Sequence, residues 1–374
     1  MGNTVEKKVG ILTWFDPTNC GSALQAYALQ RVLHQLGCDV RIIKYIPQWC
    51  RGDIMLMPLK TLFPKQIIKR AIKSIFLLFY SYLPLLLKNR ISPFYSFYNK
   101  YCKMTSACTE ESIGEYCKPF STIITGSDQV WNPNFIDPIF LQNFVSNNVN
   151  QISYATSLGG AELSEEQKAI YKKSLSSFRA ISVREQDGKH TLKSIGIEST
   201  VLVDPTLLLD ANHYRSIANK VPSVKKPFAF CYFLKTDREH KAHIQDYIAE
   251  HKLEVVGFSF DKQDYTWMKE TQNMGPLEWL WLIDNADMVF TNSYHATIFS
   301  LIFHTPFYTF VRFAPNEQNN QNSRLGQLSQ YFDLSDYYVV EEISKIKPYS
   351  FHKFEERLPE LRHEATRYLL NNIK

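Results

Sequence analysis

A short apolar run paired with a longer amphipathic one recurs along this chain, and that pairing constrains the fold more than any other feature. Residues 9–15 are mostly apolar and do not alternate with polar residues. Such a run reads as a strand buried on both faces. Residues 21–36 put Leu24, Ala28, Val32 and Leu36 on one helical face, and Gly37 stops the helix. Residues 40–46 are a second apolar run, ended by Pro47. Strand, helix and strand in that order make a parallel unit with a right-handed crossover. Helices must then cover both faces of the sheet, and ligands sit beyond the carboxyl ends of the strands.

The pattern continues through predicted strands at 122–125, 151–155, 180–183 and 201–203, with helices at 164–178 and 187–195. Lys225-Lys226-Pro227 looks like the end of a linker, and the alternation then restarts. Strands are predicted at 228–234, 253–258, 288–291 and 307–311, and helices at 237–251, 276–285 and from near His295. The 374 residues are enough for two domains. The expectation is an α/β chain with two doubly wound Rossmann-like domains facing a cleft. Residues 1–215 form the first, 216–350 the second, and a terminal helix at 351–374 is placed to pack back on the first.

One segment stands apart. Residues 54–109 hold nine Lys or Arg and no Asp or Glu, while the rest of the chain has 33 basic against 37 acidic residues. The formal net charge of +5 is therefore the property of an insertion at about 54–115. Within it, residues 75–87 are thirteen mostly apolar positions interrupted by Pro84. Spanning a bilayer takes about 20 such residues. Flanking Lys69, Arg70, Lys73, Lys88 and Arg90 suit contact of residues 60–90 with an anionic membrane surface. A buried helical hairpin over the first domain is the competing reading. The segment is too apolar, and lacks any recognition motif, for nucleic acid. Seven cysteines without CxxC spacing speak against a disulfide framework or structural zinc and for a reducing compartment. No residues have metal-ligand spacing. No secretory leader is expected, because the first apolar run ends at Asp16.

Function is sought in the loops after the strands. Asn19-Cys20-Gly21-Ser22 opens a helix whose amides can receive an anion, or serves only as a cap and tight turn. It is not a GxGxxG, which disfavours a dinucleotide. Gly126-Ser127-Asp128-Gln129-Val130-Trp131-Asn132 is polar directly behind a buried strand. Asp128 there either handles a sugar hydroxyl or forms an Asx turn. Thr156 and Ser157 bear hydroxyls in the next loop. Arg184 offers a planar fork for phosphate or carboxylate, or pairs with Glu185 or Asp187 at a helix start. His295 stands at a helix start beyond a strand, where anionic neighbours are needed to keep it protonated.

Together these loops resemble the polysaccharide pyruvyl transferase family. The residues that carry the resemblance begin with Gly10-Ile11-Leu12-Thr13, Asn19-Cys20-Gly21-Ser22 and Leu24-Gln25-Ala26. They continue with residues 125–132, Tyr154-Ala155-Thr156-Ser157 and Val183-Arg184-Glu185. Val203-Asp204-Pro205-Thr206 and Thr291-Asn292-Ser293-Tyr294-His295-Ala296 complete the set. They occur in the family's order between about residues 9 and 330, leaving out the basic insertion and the last 40 residues.

The resemblance implies a fold similar to the two-domain GT-B glycosyltransferases. It implies transfer of pyruvate from phosphoenolpyruvate (PEP) to a sugar as a cyclic ketal, with PEP as co-substrate and no other cofactor. Arg184 and His295 match the family's PEP-site positions. Many members have arginine where this chain has Ser293, so either that anion-binding fork is missing or Arg312, Arg324 or Lys235 replaces it. Asn19, Gly21, Ser22, Gln25, Ser127, Gln129, Asn132, Thr156, Ser157 and Tyr294 complete the expected substrate-binding set. His295 is the expected general acid toward C3 of PEP, and Asp128 the acceptor of the sugar hydroxyl's proton. The implied setting is capsule or exopolysaccharide synthesis. The sugar there is carried on a polyprenyl diphosphate at the cytoplasmic leaflet of the plasma membrane. A nucleotide-sugar glycosyltransferase and a non-catalytic glycan-lipid binding protein are the alternatives.

Overall fold

A computed structural model describes residues 7–14, 18–47, 83–146, 148–234, 241–259, 262–271, 273–312, 322–338 and 349–374, without the side chains of 83–91, 135, 262 and 338. The first unit is a parallel sheet of β1 (Lys8–Leu12), β2 (Asp39–Ile42), β3 (Thr122–Thr125) and β4 (Asn150–Ser153), in the order β2-β1-β3-β4. Bridges from Ile152 to Ala180 and from Thr156 to Val183 continue it into the pair β5 (Ser182–Val183) and β6 (Thr200–Val201). On the opposite edge, Met104 and Cys108 bridge to Ile42 and Tyr45. The helices of this unit are α1 (Cys20–Gln35), α2 (Leu83–Tyr101), α3 (Ile113–Cys117), α4 (Glu165–Leu175) and α5 (Gln186–Ser194). A further helix, α6 (Ala211–Ile217), leads into the second unit.

That second unit is also a parallel sheet, ordered β11-β10-β7-β8-β9. Its strands are β7 (Phe228–Phe233), β8 (Glu254–Ser259), β9 (Lys269–Glu270), β10 (Met288–Thr291) and β11 (Phe307–Thr309). Its helices are α7 (Lys241–His251), α8 (Pro276–Asn285), α9 (Tyr294–Phe303), α10 (Ser323–Phe332) and α11 (Ser335–Tyr338), and α12 (His352–Asn372) ends the chain. Every residue of β3, β7 and β10 is buried. Helices on both faces of a parallel sheet leave no solvent side, hence the continuous apolar runs.

The two units do not merely face one another. One hydrophobic cluster runs from Leu24 and Tyr27 of α1 through Leu207 and Tyr214 to Trp279 of α8 and Phe299 of α9. A second fills the other face of the first sheet around Trp131 and Phe140, and a third lies around Phe233 and Phe290. The terminal helix α12 adds Leu358, Leu361, Ala365 and Leu369 to the shared cluster. Its Arg362 donates to the carbonyls of Leu207 and Leu209 at 2.6 and 2.8 Å, and Tyr368 donates to that of Ser153 at 2.9 Å.

The insertion is described only from residue 83 on. Pro84, expected to break the apolar run, is the second residue of α2, where a missing N–H costs little. Phe94, Phe97 and Tyr98 of α2 are buried, with Phe97 against Tyr27 at 5.6 Å between ring centroids. The end of the insertion is therefore core. Of residues 60–90, expected to meet a membrane, 60–82 lie outside the described residues and 83–90 begin α2. No described helix is long and apolar enough to cross a membrane. None of the described cysteines forms a disulfide.

Candidate active site

The site grows from the carboxyl ends of the central strands, where the loops of both units converge. After β1, Asn19 caps α1 by accepting from the Ser22 amide at 3.2 Å. The Ser22 hydroxyl donates to Asp128 Oδ2 at 2.6 Å. Gln25, fully buried, donates to Thr13 Oγ1 and to the carbonyls of Trp14 and Ser22, while its carbonyl accepts from the Ser127 amide. This stitches α1 to the loop behind β3. Asp128 adopts φ = 75° there, a left-handed conformation that costs an aspartate about 1 kcal/mol. The Ser22 hydroxyl and its own Oδ1, which accepts from the Gln129 amide, hold it in place.

Arg184 follows β5 and is 2 % exposed. Its Nη1 donates to Asp204 Oδ2 at 2.7 Å, and its Nη2 lies 3.6 Å from Asp128 Oδ1. The Tyr294 ring covers the guanidinium at 4.5 Å. Burial opposes the charge, but Tyr294 and the carboxylates of Asp204, Asp128 and Glu185 outweigh it and hold Arg184 above the ordinary arginine range. Asp204 is fully buried. Its Oδ1 accepts from the amide and hydroxyl of Thr206 at 3.0 and 2.7 Å, which leaves Oδ2 for Arg184 and His295. Burial pushes this carboxyl up, yet His295, Arg184 and the Thr206 amide together hold it well below the usual range. Asp128 is also held low, with burial overcome by Arg184, His295 and Ser22. Glu185 goes the other way. Burial raises it despite Arg184 and Ser157.

The second unit contributes through β10 and α9. Ser293 caps α9, its hydroxyl accepting from the Ala296 amide at 3.4 Å. His295 follows and points its Nε2 at Asp204 Oδ2, 3.4 Å away. Its ring packs by one edge against α1 at Gly21. A Cβ there would fall 2.2 Å from His295 Nδ1. Between the units is a pocket of about 180 Å³. The first unit lines it with Trp14, Asn19, Ser22, Asp128 and Gln129. The remaining wall is Leu234, Asn292, Ser293, Tyr294, His295, Arg312, Asn322, Arg324 and Leu325. Burial, with the guanidiniums of Arg184 and Arg312, pulls Arg324 down to about 9. A wall under such cationic strain favours an anion.

The predicted residues thus separate into two groups. Asn19, Ser22, Asp128, Gln129, Ser293, Tyr294, His295, Arg312 and Arg324 line the pocket. Arg184 lies behind Tyr294 and off the pocket wall. Gln25, Ser127, Asn132, Thr156 and Ser157 are buried scaffold. Asn132 donates to Gln129 at 2.9 Å, Ser127 donates to the Ala155 carbonyl at 2.7 Å, Thr156 to that of Ser182 at 3.0 Å, and Ser157 to Glu185 at 2.8 Å. The Ser22 amide, expected to receive an anion, is committed to Asn19, and Gly21 instead makes room for His295. Asp128, expected to take a proton, has Oδ2 bonded to Ser22 and Oδ1 bonded to the Gln129 amide, which suits a fixed anion. Lys235 lies outside the described residues. Asp204 and Trp14 were not expected as site residues. The signal for Asp204 was its place in Val203-Asp204-Pro205-Thr206. For Trp14 it was a large aromatic at the carboxyl end of the first strand. Among the described residues, no group of three or more His, Cys, Asp or Glu is arranged to hold a metal ion.

The sequence matches the family model for polysaccharide pyruvyl transferase over residues 19–312. The chain belongs to that family. Its fold is shared with UDP-GlcNAc 2-epimerases of GT-B type. The enzyme from Neisseria meningitidis, solved with UDP-GlcNAc bound, has 8% identity and a TM-score of 0.53 over 98% of this chain and 94% of the other. The enzyme from Rickettsia bellii has 9% identity and a TM-score of 0.52 over 99% and 97%. No curated protein matches the sequence. The transferase thus keeps a two-unit scaffold and sets its buried cations and carboxylates at the junction.

Proposed function

We propose that this transferase moves the pyruvyl unit of PEP onto a sugar, closing a cyclic ketal across two hydroxyls. The observation that carries the reading is the cationic wall of Arg312 and Arg324 beside His295 in one pocket. PEP brings a phosphate and a carboxylate, and two guanidiniums match both groups. They also offer the fork that Ser293 lacks. His295, in its charged form, gives a proton to C3, and C2 becomes electrophilic. One sugar hydroxyl attacks C2 and its proton returns to the imidazole. The C2–O bond to phosphate then breaks, phosphate takes the proton of the second hydroxyl, and that oxygen closes the ring. Asp128 in the pocket wall and Arg184 behind it are fixed charges that keep the site's field in place.

The acceptor in this proposal is a polyprenyl-diphosphate-linked saccharide of capsule or exopolysaccharide synthesis, reached with residues 60–90 against anionic lipid. The deciding experiment is phosphate release from PEP with and without a lipid-linked galactose-containing acceptor, with mass spectrometry of the product. Acceptor-dependent phosphate and a mass gain of one pyruvyl ketal support the proposal. Absence of release, together with no shift of melting temperature by PEP and competition by a nucleoside diphosphate, would point instead to a nucleotide-sugar donor. Flotation with anionic vesicles, comparing the full chain with a 60–90 deletion, tests the membrane part. Equal binding by both refutes it.

A further inference from the structure

His295 presents two nitrogens to very different surroundings. Nε2 is sealed from solvent and lies 3.4 Å from Asp204 Oδ2. Yet His295 lines the pocket. The ring nitrogen left to meet a ligand is therefore Nδ1, on the edge that rests against the bare Cα of Gly21. Asp204 is built to hold the other edge. Thr206 occupies its Oδ1 with two hydrogen bonds, so Oδ2 alone faces Arg184 Nη1, His295 Nε2 and, at 3.5 Å, the Ser127 hydroxyl. A buried carboxylate fixed at one oxygen by its own turn orients whatever shares the other. The charged and titratable groups around His295 come from several elements. Asp204 and Arg184 come from the first unit's last loops and Asp128 from the loop behind β3, with Tyr294 on α9 itself. Arg312 and Arg324 come from the pocket wall. Elements α1 and α9 add no carboxylate.

We infer that Asp204 is the positioning residue for His295, holding the Nε2 proton so that Nδ1 is the atom that exchanges protons with the substrate. This rests on the proposed pyruvyl transfer, with His295 as its acid. In that step the Nδ1–H bond breaks and the π electrons of C2=C3 form the new C3–H bond. The imidazole is left neutral with its remaining proton on Nε2 toward Asp204. The 3.4 Å separation is longer than a hydrogen bond, and such contacts tighten when substrate binds.

Two measurements on the full chain test the inference. The first is ¹⁵N NMR of histidine-labelled protein, with the His295 signals assigned by their loss in His295→Gln. As pH rises, the proton that leaves first is expected to leave Nδ1, and the last one to stay on Nε2. Loss from Nε2 first overturns the assignment. This reading needs no substrate, so it stands or falls apart from the identity of the donor. The second is the pH dependence of kcat. The activity of the unmodified enzyme should fall as pH rises through the His295 transition. In Asp204→Asn that fall should move at least one pH unit toward acid, with kcat at pH 8 reduced at least tenfold and partly restored at pH 6. A fall at unchanged pH, with any uniform loss of rate, would mean that Asp204 only supports the fold.

Discussion

Gly21 and His295 show how much one side chain decides in this site. The Cβ of an alanine at 21 would lie 2.2 Å from Nδ1, 2.4 Å from Cγ and 2.7 Å from Cβ of His295. The ring's own stem is in the way, so rotating the imidazole cannot relieve the clash. Gly21→Ala should lower kcat at least a hundredfold while the far-UV circular dichroism stays unchanged. Near-normal turnover would mean that the ring is not held there. Asp204 gives a prediction about stability. Its carboxyl is held below the ordinary value of 3.8, so the stability it adds is complete above that pH and is lost as pH falls through the folded value. Asp204→Asn should cost about 3 kcal/mol at neutral pH, typical for breaking a buried pair. The deficit should shrink below about pH 4. Urea titrations at pH 7 and pH 3.5 check this, and an equal deficit at both values would contradict it. Asp204 was legible as part of a motif. Its partners were not, because nothing in local spacing ties residue 204 to residues 184 and 295.

At the scale of elements, α9 is the member that joins site and core. All its residues from Tyr294 to Phe303 are buried. Phe299 packs edge-on against Tyr214 at 4.8 Å and against Trp279 at 5.2 Å. Phe299→Ala should therefore cost about 4 kcal/mol in chemical denaturation, the range for a buried phenylalanine. A loss under 1 kcal/mol would mean the contact is loose. Most strands and helices were legible because burial on both faces leaves long apolar runs. Helix α9 was read from its strand and its start, and His304 ends it in a left-handed conformation at φ = 58°. Helices α3, α6, α10 and α11 were missed. Each is ten residues or fewer, and α10 begins straight after a polar stretch that reads as loop. That miss hid the placing of Arg324, the second residue of α10, on the pocket wall.

For the whole molecule, the consequence of a shared hydrophobic cluster is cooperativity. Leu24, Tyr27, Trp279 and Phe299 lie in one continuous cluster, and α12 packs into the same cluster. Differential scanning calorimetry should give one transition, with calorimetric and van't Hoff enthalpies that agree. Two resolved peaks would show that the units unfold apart. The sequence by itself determined the two parallel α/β units and the family. Those depend on local periodicity and on short motifs, which a chain carries in its own order. It also pointed to His295, Arg312 and Arg324. Only the tertiary structure decided what these residues do together. It put Arg184 behind Tyr294, committed the Ser22 amide to Asn19, emptied the space at Gly21 for an imidazole and set Asp204 between Arg184 and His295. Distances across the junction depend on how two sheets pack through a common core, and no spacing along the chain encodes them.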